Sequence, residues 1–124
     1  MSKTEGKNKY LGKLKENDFV PIKAEFTVDN LLNIINEMVS KTSQYSDQQF
    51  AHWAESFSTK HIAVNSIERN HKLAKAVEIA EDIYMQWELY LVNKYSLQEL
   101  QQLDLSKVKL PNEWYKKWQL KLVA

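Results

Sequence analysis

No cysteine occurs in the 124 residues, so disulfides, thiolate metal sites and cysteine nucleophiles are excluded. Glycine and proline are almost as scarce. Gly6, Gly12, Pro21 and Pro111 are the whole set, and residues 22 to 110 contain neither. Sheets with tight hairpins call for glycine at positive-φ turn positions, whereas helices do not. The long glycine-free stretch therefore predicts an all-α body. It also excludes glycine-built phosphate cradles and dinucleotide folds, because the two glycines lie in a polar leading segment and follow no strand.

Long apolar runs are missing too. Nothing approaches the ~20 residues of a bilayer span, and the opening MSKTEGKNKY carries no signal-peptide core, so a cytoplasmic protein without membrane association is expected. Charge of one sign is lacking: 17 basic and 16 acidic side chains sum to +1, which gives no overall field toward nucleic acid or membrane. Arginine occurs once, as Arg69, which is poor equipment for reading base edges.

What is present is enough hydrophobic residue, 44%, for one core. Residues 1–17 are lysine-rich with little to bury, and read as a flexible basic arm. Residues 18–124 read as a single helical domain, a bundle of four to six helices with one long central helix. Between arm and bundle, Phe19 to Phe26 alternates apolar and polar from Ile22 onward, a period of two that suits a short extended segment on the core. Thr27 can cap a first helix in which Val28, Leu31, Leu32, Ile35, Met38 and Val39 recur at three- and four-residue spacing.

Ser46 with Gln49 makes a capping-box signature for a second helix that points Phe50, Trp53, Ala54 and Phe57 inward and fades near Ser58 to His61. The longest helix is expected from Asn65 or Ser66 to about Tyr95, some 30 residues and roughly 45 Å. Such a length leaves part of it exposed in a compact chain, so a homodimer is carried as an expectation. Ser96 and Glu99 repeat the capping-box spacing for a short helix. Leu105, Val108 and Leu110 then read as extended, and Pro111 suits the first turn of a last helix holding Trp114, Tyr115, Trp118 and Leu122.

Candidate chemistry is sparse. Glu68 and His71 have the E-x-x-H spacing of carboxylate-bridged di-iron bundles, but such bundles need that spacing twice plus two further glutamates. No metal or cofactor is expected. His52 and His61 stand apart in the sequence, and the hydroxyl residues gather where helices start, as capping requires. No catalytic residue is assigned and the chain is expected not to be an enzyme.

The uneven distribution of charge is the remaining clue. From Thr27 to Asp104 there are eleven acids against six bases, while the C-terminal stretch holds five lysines against Glu113. The expected function is a non-enzymatic protein-binding module of the inhibitor, immunity-protein, antitoxin or accessory-subunit kind. Its partner surface would be an acidic helical face made by Glu78, Glu81, Asp82, Met85 and Glu88. The alternative is a small nucleic-acid-binding accessory protein that uses Lys107, Lys109, Trp114, Lys116, Lys117, Trp118 and Lys121, with lysines on phosphates and a ring for stacking.

Overall fold

The computed structural model describes residues 19–63 and 70–124; the expected arm over 1–17, and Asn65, Ser66, Glu68 and Arg69, lie outside them. Among the described residues there are five α-helices and no strand. They are α1 (Val28–Ser40), α2 (Asp47–Ala63), α3 (His71–Lys94), α4 (Leu97–Gln102) and α5 (Asn112–Val123), with a 3₁₀ turn at Leu105–Lys107. A helical bundle with α3 as its longest element is the fold.

The capping chemistry read from the sequence sets the helix starts. The Thr27 side chain accepts from the Asn30 N–H at 3.1 Å. At α2, Ser46 Oγ accepts from Gln49 N–H at 3.0 Å while Gln49 Oε1 accepts from Ser46 N–H at 2.8 Å. The same reciprocal pair joins Ser96 and Glu99 at α4. Each box satisfies two backbone donors that a helix start leaves open.

Two boundaries differ from expectation. The described part of α3 begins at His71 behind Asn70, whose Oδ1 accepts from Leu73 N–H at 3.0 Å. An Asn side chain competes with the backbone and ends the helix there. The helix has 24 residues, about 36 Å at 1.5 Å per residue, and not about thirty. In addition, α2 runs through to Ala63, just past the stretch from Ser58 to His61 where fading is expected.

The core is one cluster to which all five helices contribute. Phe50, Phe57, Trp87, Leu31, Ile35, Ile83, Leu91 and Leu100 are its largest fully buried side chains. α2 packs along α3, and α1 along α5. An unbroken run of ring contacts crosses the bundle, from Phe26 to Trp53 at 5.4 Å, Trp53 to Phe50 at 6.2 Å, Phe50 to Tyr115 at 6.2 Å and Tyr115 to Trp118 at 5.4 Å. Stacked, tilted and edge-on pairs of this kind add about 0.5–1.5 kcal/mol each beyond their burial.

The extended segment lies along α2, and side chains hold it there in place of a sheet ladder. Gln49 Nε2 donates to Val20 O at 2.7 Å, Trp53 Nε1 donates to Ala24 O at 3.0 Å, and His61 Nε2 meets Phe26 O at 2.7 Å. A carbonyl only accepts, so His61 carries its proton on Nε2. Residues 49, 53 and 61 share one helical face, four and eight positions apart. Ile22 is buried and Ala24 and Phe26 are half-buried between exposed neighbours, the alternation that the sequence carries.

Candidate functional site

The residues expected to form an acidic face separate into three roles. Glu78, Glu81 and Met85 are exposed on the outer side of α3. Asp82 is turned inward: its Oδ2 accepts from Trp118 Nε1 at 2.8 Å, and its Oδ1 from Gln86 Nε2 at 3.4 Å. Asp82 thus ties α3 to α5 and is a structural carboxylate. Glu88 is half-buried at the margin of the face.

Three large apolar side chains continue the outer row. Met85 is 52% exposed, Leu89 43% and Val92 48%. Steps of four and three residues keep positions 78, 81, 85, 89 and 92 on one side of a helix with 3.6 residues per turn. The outer face of α3 is therefore acidic over its N-terminal half and apolar over its C-terminal half. Leu89 and Val92 went unassigned in the sequence because the buried stripe of α3 is broad, and periodicity alone did not separate its edge from a second, outward stripe.

The lysine and aromatic residues of the C-terminal segment do not gather into one surface. Trp118 is 3% exposed and Tyr115 equally buried, so the Trp118 ring is held in the core and base stacking on it would require α5 to open. Trp114 is half-buried, edge-on to Tyr90 at 5.7 Å. Lys117 and Lys121 flank Trp114 and Asp82 in a shallow groove of about 230 Å³. Lys109 lines a different pocket, between α1 and α5. Lys107 is exposed in the 3₁₀ turn, and Lys116 is exposed on α5, about 100° round the helix from Lys117.

The histidines lie apart. His52 stacks on Phe19 at 4.6 Å and meets Tyr84 edge-on at 5.5 Å; His61 holds the extended segment and packs on Phe57 at 4.7 Å; His71 is exposed at the start of α3. Among the described residues no group of three or more His, Asp or Glu side chains could hold a metal ion. None of these helices is long and apolar enough to cross a membrane.

One polar cluster was not anticipated at all. Asp47 is 4% exposed at the first turn of α2, and its Oδ2 accepts from Leu110 N–H at 2.7 Å and from the Tyr115 hydroxyl at 2.8 Å. Burial pushes the Asp47 carboxyl above its ordinary 3.8, against the opposing pull of those two donors and of Lys109. Burial, and then the neighbouring carboxylate, push the Tyr115 phenol upward as well, so it remains a neutral donor. These bonds span more than sixty residues of sequence, and no local spacing announces them.

No protein-family model, curated protein or solved structure matches this chain.

Proposed function

We infer that the chain is a non-enzymatic binding module that engages a protein partner through the outer face of α3. The observation that carries this reading is the exposed row Met85, Leu89 and Val92, continuous with Glu78 and Glu81 on the longest helix. Single exposed apolar residues are ordinary on a protein surface, but a row of three beside a patch of one charge has the make-up of an interface. The charge specifies the partner's chemistry. A basic amphipathic helix would place lysine or arginine against Glu78 and Glu81 and its apolar side against Met85, Leu89 and Val92. Acidic groups at the rim would speed encounter with such a partner, and the apolar half would set how long it stays. Docking of this kind is what the reading as an inhibitor, immunity protein, antitoxin or accessory subunit requires.

The test uses a partner isolated on the wild-type chain from its native cells, identified, purified and then titrated. Leu89→Ser and Met85→Ser should weaken binding by at least about tenfold each, as removal of central apolar anchors does. Glu81→Lys should slow association and flatten its salt dependence. Thermal midpoints of all three variants should stay at the wild-type value. A purified partner that binds Leu89→Ser and Glu81→Lys as tightly as wild type would remove this surface from consideration.

A further inference from the structure

At the end of the bundle where α1 stops and α2 and α5 begin, a pocket of about 410 Å³ opens to solvent. That volume falls within the range of small-molecule sites. None of its lining residues belongs to α3, so it is distinct from the proposed docking face. Its floor is rigid. Met38, Leu110 and Tyr115 are buried there, and the Asp47 carboxylate is hydrogen-bonded by the Leu110 N–H and the Tyr115 hydroxyl and also feels the charge of Lys109.

The rim has the opposite character. Lys41, just past α1, and Lys109, just before α5, are both exposed and line the pocket. The wall between them carries Ser43, whose Oγ accepts from Tyr45 N–H at 3.0 Å and so keeps its own proton free to donate. Asp47 is the only carboxylate among the lining residues. Two ammonium groups and a hydroxyl above an apolar and aromatic floor select for negative charge on an organic body.

The backbone at Lys41 points the same way. Lys41 has φ 61° and ψ 31°, the one non-glycine residue with positive φ among the described residues. Glycine is the usual occupant of this position after a helix, because a side chain there is strained. Lysine supplies what glycine cannot, an ammonium at the pocket's mouth.

We propose that this pocket binds a small organic anion, its apolar body on Met38, Leu110 and Tyr115 and its carboxylate or phosphate between Lys41 and Lys109. The test is amide-shift titration of the full chain with phenyl phosphate and with benzoate, and with benzamidine as a cation of similar shape. Both anions should give saturable shifts at Lys41, Ser43, Tyr45, Leu110 and Asn112, and both should bind more tightly than benzamidine. The tighter of the two identifies the headgroup.

Lys41→Gly and Lys109→Ala should each weaken the anions about tenfold, the effect of losing one charge-assisted contact. Neither should weaken benzamidine. Lys41→Gly separates binding from folding, since glycine accepts the left-handed backbone and the variant should be at least as stable as wild type. Benzamidine binding as well as the anions, anion affinity unchanged in both variants, or shifts that fail to saturate by about 10 mM for ligands of this size would each overturn the assignment.

Discussion

Replacing Asp47 by alanine should be among the most damaging single changes in the chain, and the cost can be worked from two bonds. Asp47→Ala leaves the Leu110 N–H and the Tyr115 hydroxyl buried with no acceptor. Each orphaned buried donor costs about 1–3 kcal/mol, so a loss of roughly 3 kcal/mol is expected. With an unfolding entropy of about 2 cal/mol/K per residue, that loss lowers the thermal midpoint by about 12 °C. Tyr115→Phe removes one donor and keeps the ring against Phe50 and Trp118, so it should cost about 1–2 kcal/mol. The double variant should lose less than the sum by about 1 kcal/mol, because the orphaned hydroxyl is gone.

Urea denaturation measures all three, and pH supplies an independent arm. Burial raises the Asp47 carboxyl above 3.8, so the native chain holds this proton more tightly than the unfolded chain does. The resulting stabilisation is complete below 3.8 and is lost as pH rises through the raised native value. Asp47→Asn keeps an acceptor oxygen and cannot titrate. The stability of wild type relative to Asp47→Asn should therefore be greatest in acid and shrink as pH rises. A cost below about 1 kcal/mol for Asp47→Ala, an additive double variant, or a relative stability that grows with pH would refute the reasoning.

Other outcomes follow from the same contacts. Asp82→Ala strips the acceptor from Trp118 Nε1 and should cost about 1–3 kcal/mol in denaturant titration, whereas Glu81→Ala, on the same helix but exposed, should change stability by less than about 0.5 kcal/mol. His61→Ala removes the donor to Phe26 O and should cost about 1 kcal/mol; amide exchange should accelerate over residues 22–27 more than in α3. For nucleic acid, the structure leaves Trp114, Lys117 and Lys121 as the cluster that could act together. Fluorescence titration with single-stranded oligonucleotides at low salt should show no Trp114 quenching, and salt-sensitive quenching abolished by Lys117→Ala would favour the nucleic-acid alternative.

The helix starts were legible in the sequence because capping is local. A hydroxyl with a carboxylate or amide three residues on announces a reciprocal cap, as at Ser46 and Ser96, while Thr27 caps α1 through its hydroxyl alone. The inward faces were legible for the same reason, since three- and four-residue spacing states which side chains share a side. Ile34 and Ile79 are buried without having been assigned, because each sits at the edge of its stripe where periodicity is weakest.

What the sequence concealed is everything that joins distant segments. Asp47 reaches Leu110 and Tyr115, Asp82 reaches Trp118, and Gln49, Trp53 and His61 reach the segment before α1. Each of these side chains reads from its neighbours as an ordinary polar or apolar helix residue. The pocket beside Lys41 was invisible for the same reason. Its walls come from α1, the loop before α2, and the start of α5, which only the packed bundle brings together.

Four acids of α2 and α3 therefore divide by the side they face in a way that a count of charges hides. Asp47 and Asp82, with one methylene each, hold their carboxylates close to the backbone and serve buried donors on another element. Glu78 and Glu81, one methylene longer, carry theirs out into solvent from the same helix that holds Asp82. A short acid facing inward is fixed by its partner and cannot answer to another protein without loosening the fold. A longer acid facing outward costs the fold almost nothing when replaced. Charge reversal across the whole acidic stretch would thus mix two effects, and only Glu78 and Glu81 report cleanly on a partner. If both are exchanged for lysine and a purified partner still binds with unchanged rate and affinity at low salt, the negative charge of α3 plays no part in docking, and the apolar row alone would have to account for the interface.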